Sequence, residues 1–101
     1  MPIPHLTIDR ARLADFCRRW RVAELSFFGS VLRDDFRPES DVDVLVSFEP
    51  DAEWTLLDLV SMQREIVEVL GRSVDLIEEA ALRNPYRRSA ILKSKQVVYA
   101  A

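Results

Sequence analysis

The chain has 101 residues, 49% apolar and 31% charged, with two Gly and five Pro. This is the balance of one compact domain over residues 1–101, and it excludes a disordered or repetitive chain. The net charge of −3 argues against a general nucleic-acid binder, because phosphate contacts need a surplus of Lys and Arg.

In chain order, MPIPHLTIDR holds no apolar signal core, and no apolar run approaches the roughly 20 residues of a membrane span. A cytoplasmic protein with no membrane partner is expected. His5, the only His, stands in a Pro-flanked arm without ligand partners nearby and reads as solvated. Thr7 is the expected cap of a helix running to about Trp20, in which Leu13, Phe16, Cys17 and Trp20 share one face. Cys17, the only Cys, is thereby a core residue; it excludes an internal disulfide and multi-Cys metal sites, and suits a reducing compartment.

Val22 to Phe28 reads as a short strand ending at Gly29, followed by a short helix from Ser30 to about Asp35. Arg37-Pro38-Glu39-Ser40 turns the chain into a strand over Asp41 to Phe48. Alternation puts Val42, Val44, Val46 and Phe48 on one face, and Asp41, Asp43, Leu45 and Ser47 on the other. After a polar loop, Thr55 opens a long helix to Leu70 that Gly71 ends as a C-cap. Leu56, Leu59, Val60, Ile66, Val67 and Leu70 form its expected core stripe. Leu57, Met62 and Val69 widen it, which leaves a dimer or partner face open as an alternative. A third strand spans Arg72 to Glu78, with Ser73, Asp75 and Ile77 on one face. A helix from about Pro85 to Ser94 and a strand from Gln96 to Ala100 complete the chain. The alternation predicts an α/β or α+β fold, with one small mixed sheet covered by helices on its apolar face. Arg18, Arg19 and Arg21, and then Arg83, Arg87, Arg88, Lys93 and Lys95, form two basic groups. These read as solvated helix faces that could also meet an acidic partner or a phosphate.

The chemistry concentrates between Gly29 and Asp75. A Gly-Ser turn lets a phosphate approach the backbone, although taken alone it is better explained as a tight turn with Ser as N-cap. Asp41 and Asp43 point the same way from one strand, where two bare carboxylates would repel. Mg²⁺ resolves that conflict, since it takes one or two carboxylates plus substrate phosphates. Asp75, on a strand expected beside this one, supplies a further oxygen pair, for an ion or as a base. No Ser-His-Asp set or Cys-His pair supports covalent hydrolysis.

Gly29-Ser30, ten residues from Val31 to Ser40, then Asp41-Val42-Asp43 resembles the G-S-x10-D-x-D signature of the DNA polymerase beta-like nucleotidyltransferases, with Asp75 in SVDLIE as the third carboxylate. The shortness and the phrases LRDDFRPESDVDVLVSFEP and RNPYRRSAILKSKQVVYA are similar in particular to the minimal nucleotidyltransferases, antitoxin partners of HEPN-domain toxins. The resemblance implies a single minimal nucleotidyltransferase domain. In it Asp41 and Asp43 are Mg²⁺ ligands, Asp75 is a third ligand or base, and Gly29 with Ser30 grips the triphosphate. It implies transfer of AMP from ATP to a tyrosine of a cognate HEPN toxin, in a homodimer or a hetero-oligomer with that toxin. Asp34 stands after Arg33 where many relatives have Gly, so a differently shaped end of the motif helix is expected, though Asp tolerates a left-handed turn. The added helical domain of larger relatives is not expected here, so a partner chain is expected to supply the acceptor and part of the nucleotide pocket. Arg33 and Arg37 either steady the triphosphate or pair with Asp34, Asp35 or Glu39. Two rival readings are a non-catalytic module that neutralises its partner by occlusion, and nucleotidyl transfer to an RNA 3′ end.

Overall fold

The computed structural model describes residues 6–33, 37 and 39–101; the expectations for His5, Asp34 and Asp35 lie outside these. The first helix, α1, spans Arg10–Arg19. Its cap is Asp9, not Thr7: the Asp9 carboxylate accepts from the Arg12 backbone N–H at 3.1 Å. Asp9 directly precedes the first helical residue, and only from there does a side chain reach the free N–H groups of the first turn. Leu13, Phe16 and Cys17 are buried as the apolar spacing requires, with Trp20 packed beside them.

Strand β1 (Val22–Phe28) leads into a 3₁₀ turn over Gly29–Leu32, shorter than the helix expected from Ser30 to Asp35. Arg33 is already extended there, at φ −116° and ψ 163°, which ends the turn. Strand β2 (Val42–Phe48) starts one residue after Asp41, and helix α2 (Leu56–Leu70) follows. Thr55 and Asp58 cap α2 reciprocally, and Gly71 closes it at φ +67°. Strand β3 (Val74–Glu78) begins later than Arg72. A 3₁₀ turn at Glu79–Ala81, helix α3 (Pro85–Ser94) and strand β4 (Gln96–Ala100) complete the order. Asn84 caps α3, accepting from Tyr86 and Arg87, with Pro85 in the first turn.

The four strands form one mixed sheet in the order β3-β2-β1-β4, with β1 antiparallel to β2 and β4, and β2 parallel to β3. One face carries Val42, Val44 and Val46 into a core with α1 and α2. Met62, Ile66 and Leu70 are the buried line of α2, whereas Leu56 and Val60, expected in the core, are 77% and 43% exposed. At 100° per residue Leu57 falls on the side opposite Ile66, and Val60 well away from the sheet. The second face is partly covered too: Phe28 and Leu45 pack with Leu82 and with Ile91 of α3.

Candidate active site

Strand register builds the site. In β1–β2 Phe28 lies opposite Asp43, and in β2–β3 Asp43 lies opposite Asp75. Gly29, the residue after Phe28, is therefore delivered against the Asp43 side chain. A Cβ added at Gly29 would stand 2.3 Å from Asp43 Oδ2 and 3.3 Å from its Cγ, and Gly29 also has φ +75°. Both the close approach and the left-handed backbone demand glycine. Ser30 follows, half-buried in the turn that the Arg33 N–H closes on the Ser30 carbonyl at 2.9 Å. A turn this short has little macrodipole, so what it can offer a phosphate is backbone N–H groups and one hydroxyl.

Asp43 is half-buried, while Asp41 and Asp75 are exposed. Burial raises the Asp43 pKa, and the charges of Asp75 and then Asp41 push it further, against Arg33 and Arg87, which lower it. The three predicted carboxylates thus share one field. Among the described residues no three acidic, His or Cys side chains are grouped tightly enough to hold an ion alone. An all-oxygen donor set of mutually repelling carboxylates fits Mg²⁺, which takes few protein ligands and completes its shell with water and phosphate oxygens. A cleft of about 440 Å³ opens beside Gly29, bordered by Phe28, Leu32, Arg33, Ile91 and Ser94.

Two arginines escaped the sequence reading of the site. Arg87 belongs in sequence to a basic group that reads as a solvated face, yet it sits one turn before Ile91, the α3 residue that packs on the sheet, and its charge bears on Asp43. That four-residue spacing on an otherwise polar helix was the available signal. Arg72 donates Nη2–H to the carbonyls of Arg37 at 2.8 Å and Ser40 at 3.3 Å, tying down the turn that presents Asp41. No local pattern announces such a clamp. Arg37 contributes its backbone to this turn: its N–H donates to Ser40 Oγ at 3.3 Å, and its carbonyl accepts from the Ser40 N–H at 3.0 Å.

Much of the remaining basic surface is used internally. Arg19 bridges Asp15 at 2.9 Å and Glu65 at 2.6 Å; Arg21 bridges Glu49 and Asp51; Lys95 holds Glu24, and Arg88 meets Glu79. The Cys17 thiol is pushed up to about 12, first by burial, and stays protonated at neutral pH. No helix among the described residues is long and apolar enough to cross a membrane.

The fold is that of the polymerase beta-like nucleotidyltransferases, with one sheet and three α-helices among the described residues. Residues 11–98 match the nucleotidyltransferase domain family, and the chain belongs to that family. It is 32% identical over 93 residues to the protein adenylyltransferase MntA of Thermococcus cleftensis, spanning 92% of this chain and 89% of that one. A solved structure described as a minimal nucleotidyltransferase superposes with a TM-score of 0.70 at 33% identity, covering 86% of each chain. A chain of the complex between the tri-AMPylated HEPN toxin of Shewanella oneidensis and its MNT antitoxin superposes at 0.63. That likeness, at 13% identity over 91% of this chain and 70% of the other, is one of fold.

Proposed function

We propose that this nucleotidyltransferase transfers AMP from ATP to a tyrosine hydroxyl of a HEPN-domain toxin and acts as that toxin's antitoxin. The observation that carries the reading is the register aligning Phe28, Asp43 and Asp75 across three strands, with Gly29 against the Asp43 carboxylate. Support comes from the adenylyltransferase activity in the name of the Thermococcus cleftensis relative and from the AMPylated toxin in the Shewanella oneidensis complex.

In this reading Asp41 and Asp43 hold Mg²⁺. The chemistry the ion supplies is neutralisation of the triphosphate and of charge on the entering and leaving oxygens. The backbone of Gly29 and the Ser30 hydroxyl hold the phosphates, and the cleft beside Gly29 takes the nucleoside. The tyrosine oxygen bonds to the α-phosphorus as the bond to the bridging oxygen of the β-phosphate breaks. Pyrophosphate leaves, and Asp75 accepts the hydroxyl proton. Arg87 and Arg33 balance the carboxylates and the negative charge that gathers on the leaving group. Such a reaction needs positioning and charge neutralisation more than a nucleophilic side chain.

A second reading, neutralisation by occlusion, is favoured by the exposed Leu56, Leu57 and Val60, which suit a partner surface. Toxin-expressing cells supplied with Asp41→Asn or Asp43→Asn separate the two. Transfer predicts that folded acid variants lose protection. Full protection by those variants contradicts transfer and favours occlusion.

A further inference from the structure

Helix α3 carries a hydroxyl that the fold does not use. Of the two tyrosines, Tyr99 is half-buried against the main core, opposite Leu25 in the sheet, whereas Tyr86 is 85% exposed. A ring left so far in water gains almost nothing from burial. Its backbone is nevertheless fixed. Asn84 Oδ1 accepts from the N–H groups of Tyr86 at 3.0 Å and Arg87 at 3.1 Å, and Pro85 sets the backbone just before the ring. The phenol stands on a rigid helix start with only two side-chain torsions free, so seating its oxygen in a site costs little entropy.

Helix geometry and charge decide which site that oxygen can reach. Ile91 packs on the sheet, and Tyr86 lies five residues earlier, about 140° round the helix. Tyr86 therefore points away from the sheet that carries its own carboxylates and toward whatever approaches α3. Residues 82–101 hold Arg83, Arg87, Arg88, Lys93 and Lys95 and no acid, and Arg83 and Lys93 are exposed like Tyr86. The catalytic end presents the opposite charge, with Asp41 and Asp75 exposed about the half-buried Asp43, and bound ATP adds to it. The α3 surface of one copy is thus electrostatically complementary to the carboxylate end of another.

We infer that Tyr86 is itself an acceptor, adenylylated by a second copy of this chain, an inference that rests on the transferase reading. The Tyr86 oxygen bonds to the α-phosphorus of ATP held by the acting copy as the bond to the bridging oxygen of the β-phosphate breaks. Pyrophosphate leaves, and Asp75 of the acting copy accepts the phenolic proton. Self-modification and modification of the toxin draw on one site, so the first is fullest when the toxin is absent. The product carries a phosphodiester charge on the residue before Arg87, the cation that bears on Asp43.

Intact and fragment masses of the protein incubated alone with ATP and Mg²⁺ test this. The wild type should gain one AMP unit, mapped to Tyr86. Tyr86→Phe, which removes only an exposed hydroxyl, should gain none while it modifies the HEPN partner at the wild-type rate. A mixture then shows which copy acts: folded Asp43→Asn, inactive but with Tyr86 intact, should gain AMP once Tyr86→Phe is added and none without it. Label on Tyr86 of the wild type with none on Asp43→Asn in the mixture places the transfer within one chain and overturns the inference. AMP mapped to a residue other than Tyr86 overturns it as well. A wild type that modifies the HEPN partner but never itself overturns the inference and leaves the transferase reading standing, whereas one that modifies neither overturns both.

Discussion

Replacing Gly29 by Ala should damage catalysis far more than stability, and Gly71→Ala supplies the control. Both glycines have left-handed backbones, φ +75° and +67°, so each substitution incurs about 1–2 kcal/mol of backbone strain. In a chain of this size that lowers Tm by about 5–15 °C. Their surroundings differ. Nothing lies within 4 Å of a Cβ at Gly71, but one at Gly29 would stand 2.3 Å from Asp43 Oδ2. To regain ordinary contact the carboxylate must retreat by on the order of 1 Å. A displacement of about 1 Å in a positioned catalytic group lowers the rate about 10²-fold. Thermal melts should therefore place the two variants close together, with Gly29→Ala the lower. Rates of AMP transfer should separate them by about two orders of magnitude. If Gly29→Ala transfers AMP within a factor of two of Gly71→Ala, the contact between this turn and Asp43 has no part in the reaction.

Without metal, the raised pKa of Asp43 makes its ionisation unfavourable to the fold. The native state holds the proton more tightly, so stability is greatest below the unfolded value and falls as pH rises through the window up to the folded one. Asp43→Asn should lack this fall, which melts from acid to neutral pH would reveal; a wild type that instead gains stability across that window reverses the sign. Arg87→Ala should cut transfer about tenfold, mainly through the KM for ATP, with Tm changed little, and unaltered kinetics would exclude it from the site. Arg72→Ala frees the carbonyls of Arg37 and Ser40 and should lower stability by about 1–2 kcal/mol in denaturant melts, with slower transfer as Asp41 loses its support. Met62→Ala empties a fully buried position and should cost about 2–5 kcal/mol, whereas Leu57→Ala, on an exposed residue, should change stability little.

The sheet and the site were legible for different reasons. Strand β2 announces itself through Val42, Val44, Val46 and Phe48 at period two, and Asp43 falls on the face opposite the valines, so that period alone places it away from the main core, although Leu45 on the same face is apolar and buried. The signature spacing from Gly29 to Asp43 then singles out residues that only strand pairing brings together. Helix α2 was harder. Nine apolar side chains over sixteen residues leave several candidate core lines, and the choice of Met62 over Val60 depends on where the sheet lies. Thr7 and Asp9 are both capping residues, and their near coincidence concealed the true helix start. The second cluster, Phe28 with Leu45, Leu82 and Ile91, joins single apolar residues from four segments and has no periodic signal at all. Arg87 owes its place beside the acids to that cluster, which seats α3 on the sheet.

The central claim is tested most directly by the intact mass of the HEPN partner after incubation with this protein, ATP and Mg²⁺, beside the same reaction with Asp43→Asn. Gain of one or more AMP units on a partner tyrosine with the wild type alone is the predicted result. An unmodified partner in a stable complex with wild-type protein and ATP would contradict transfer and leave occlusion as the mode of neutralisation.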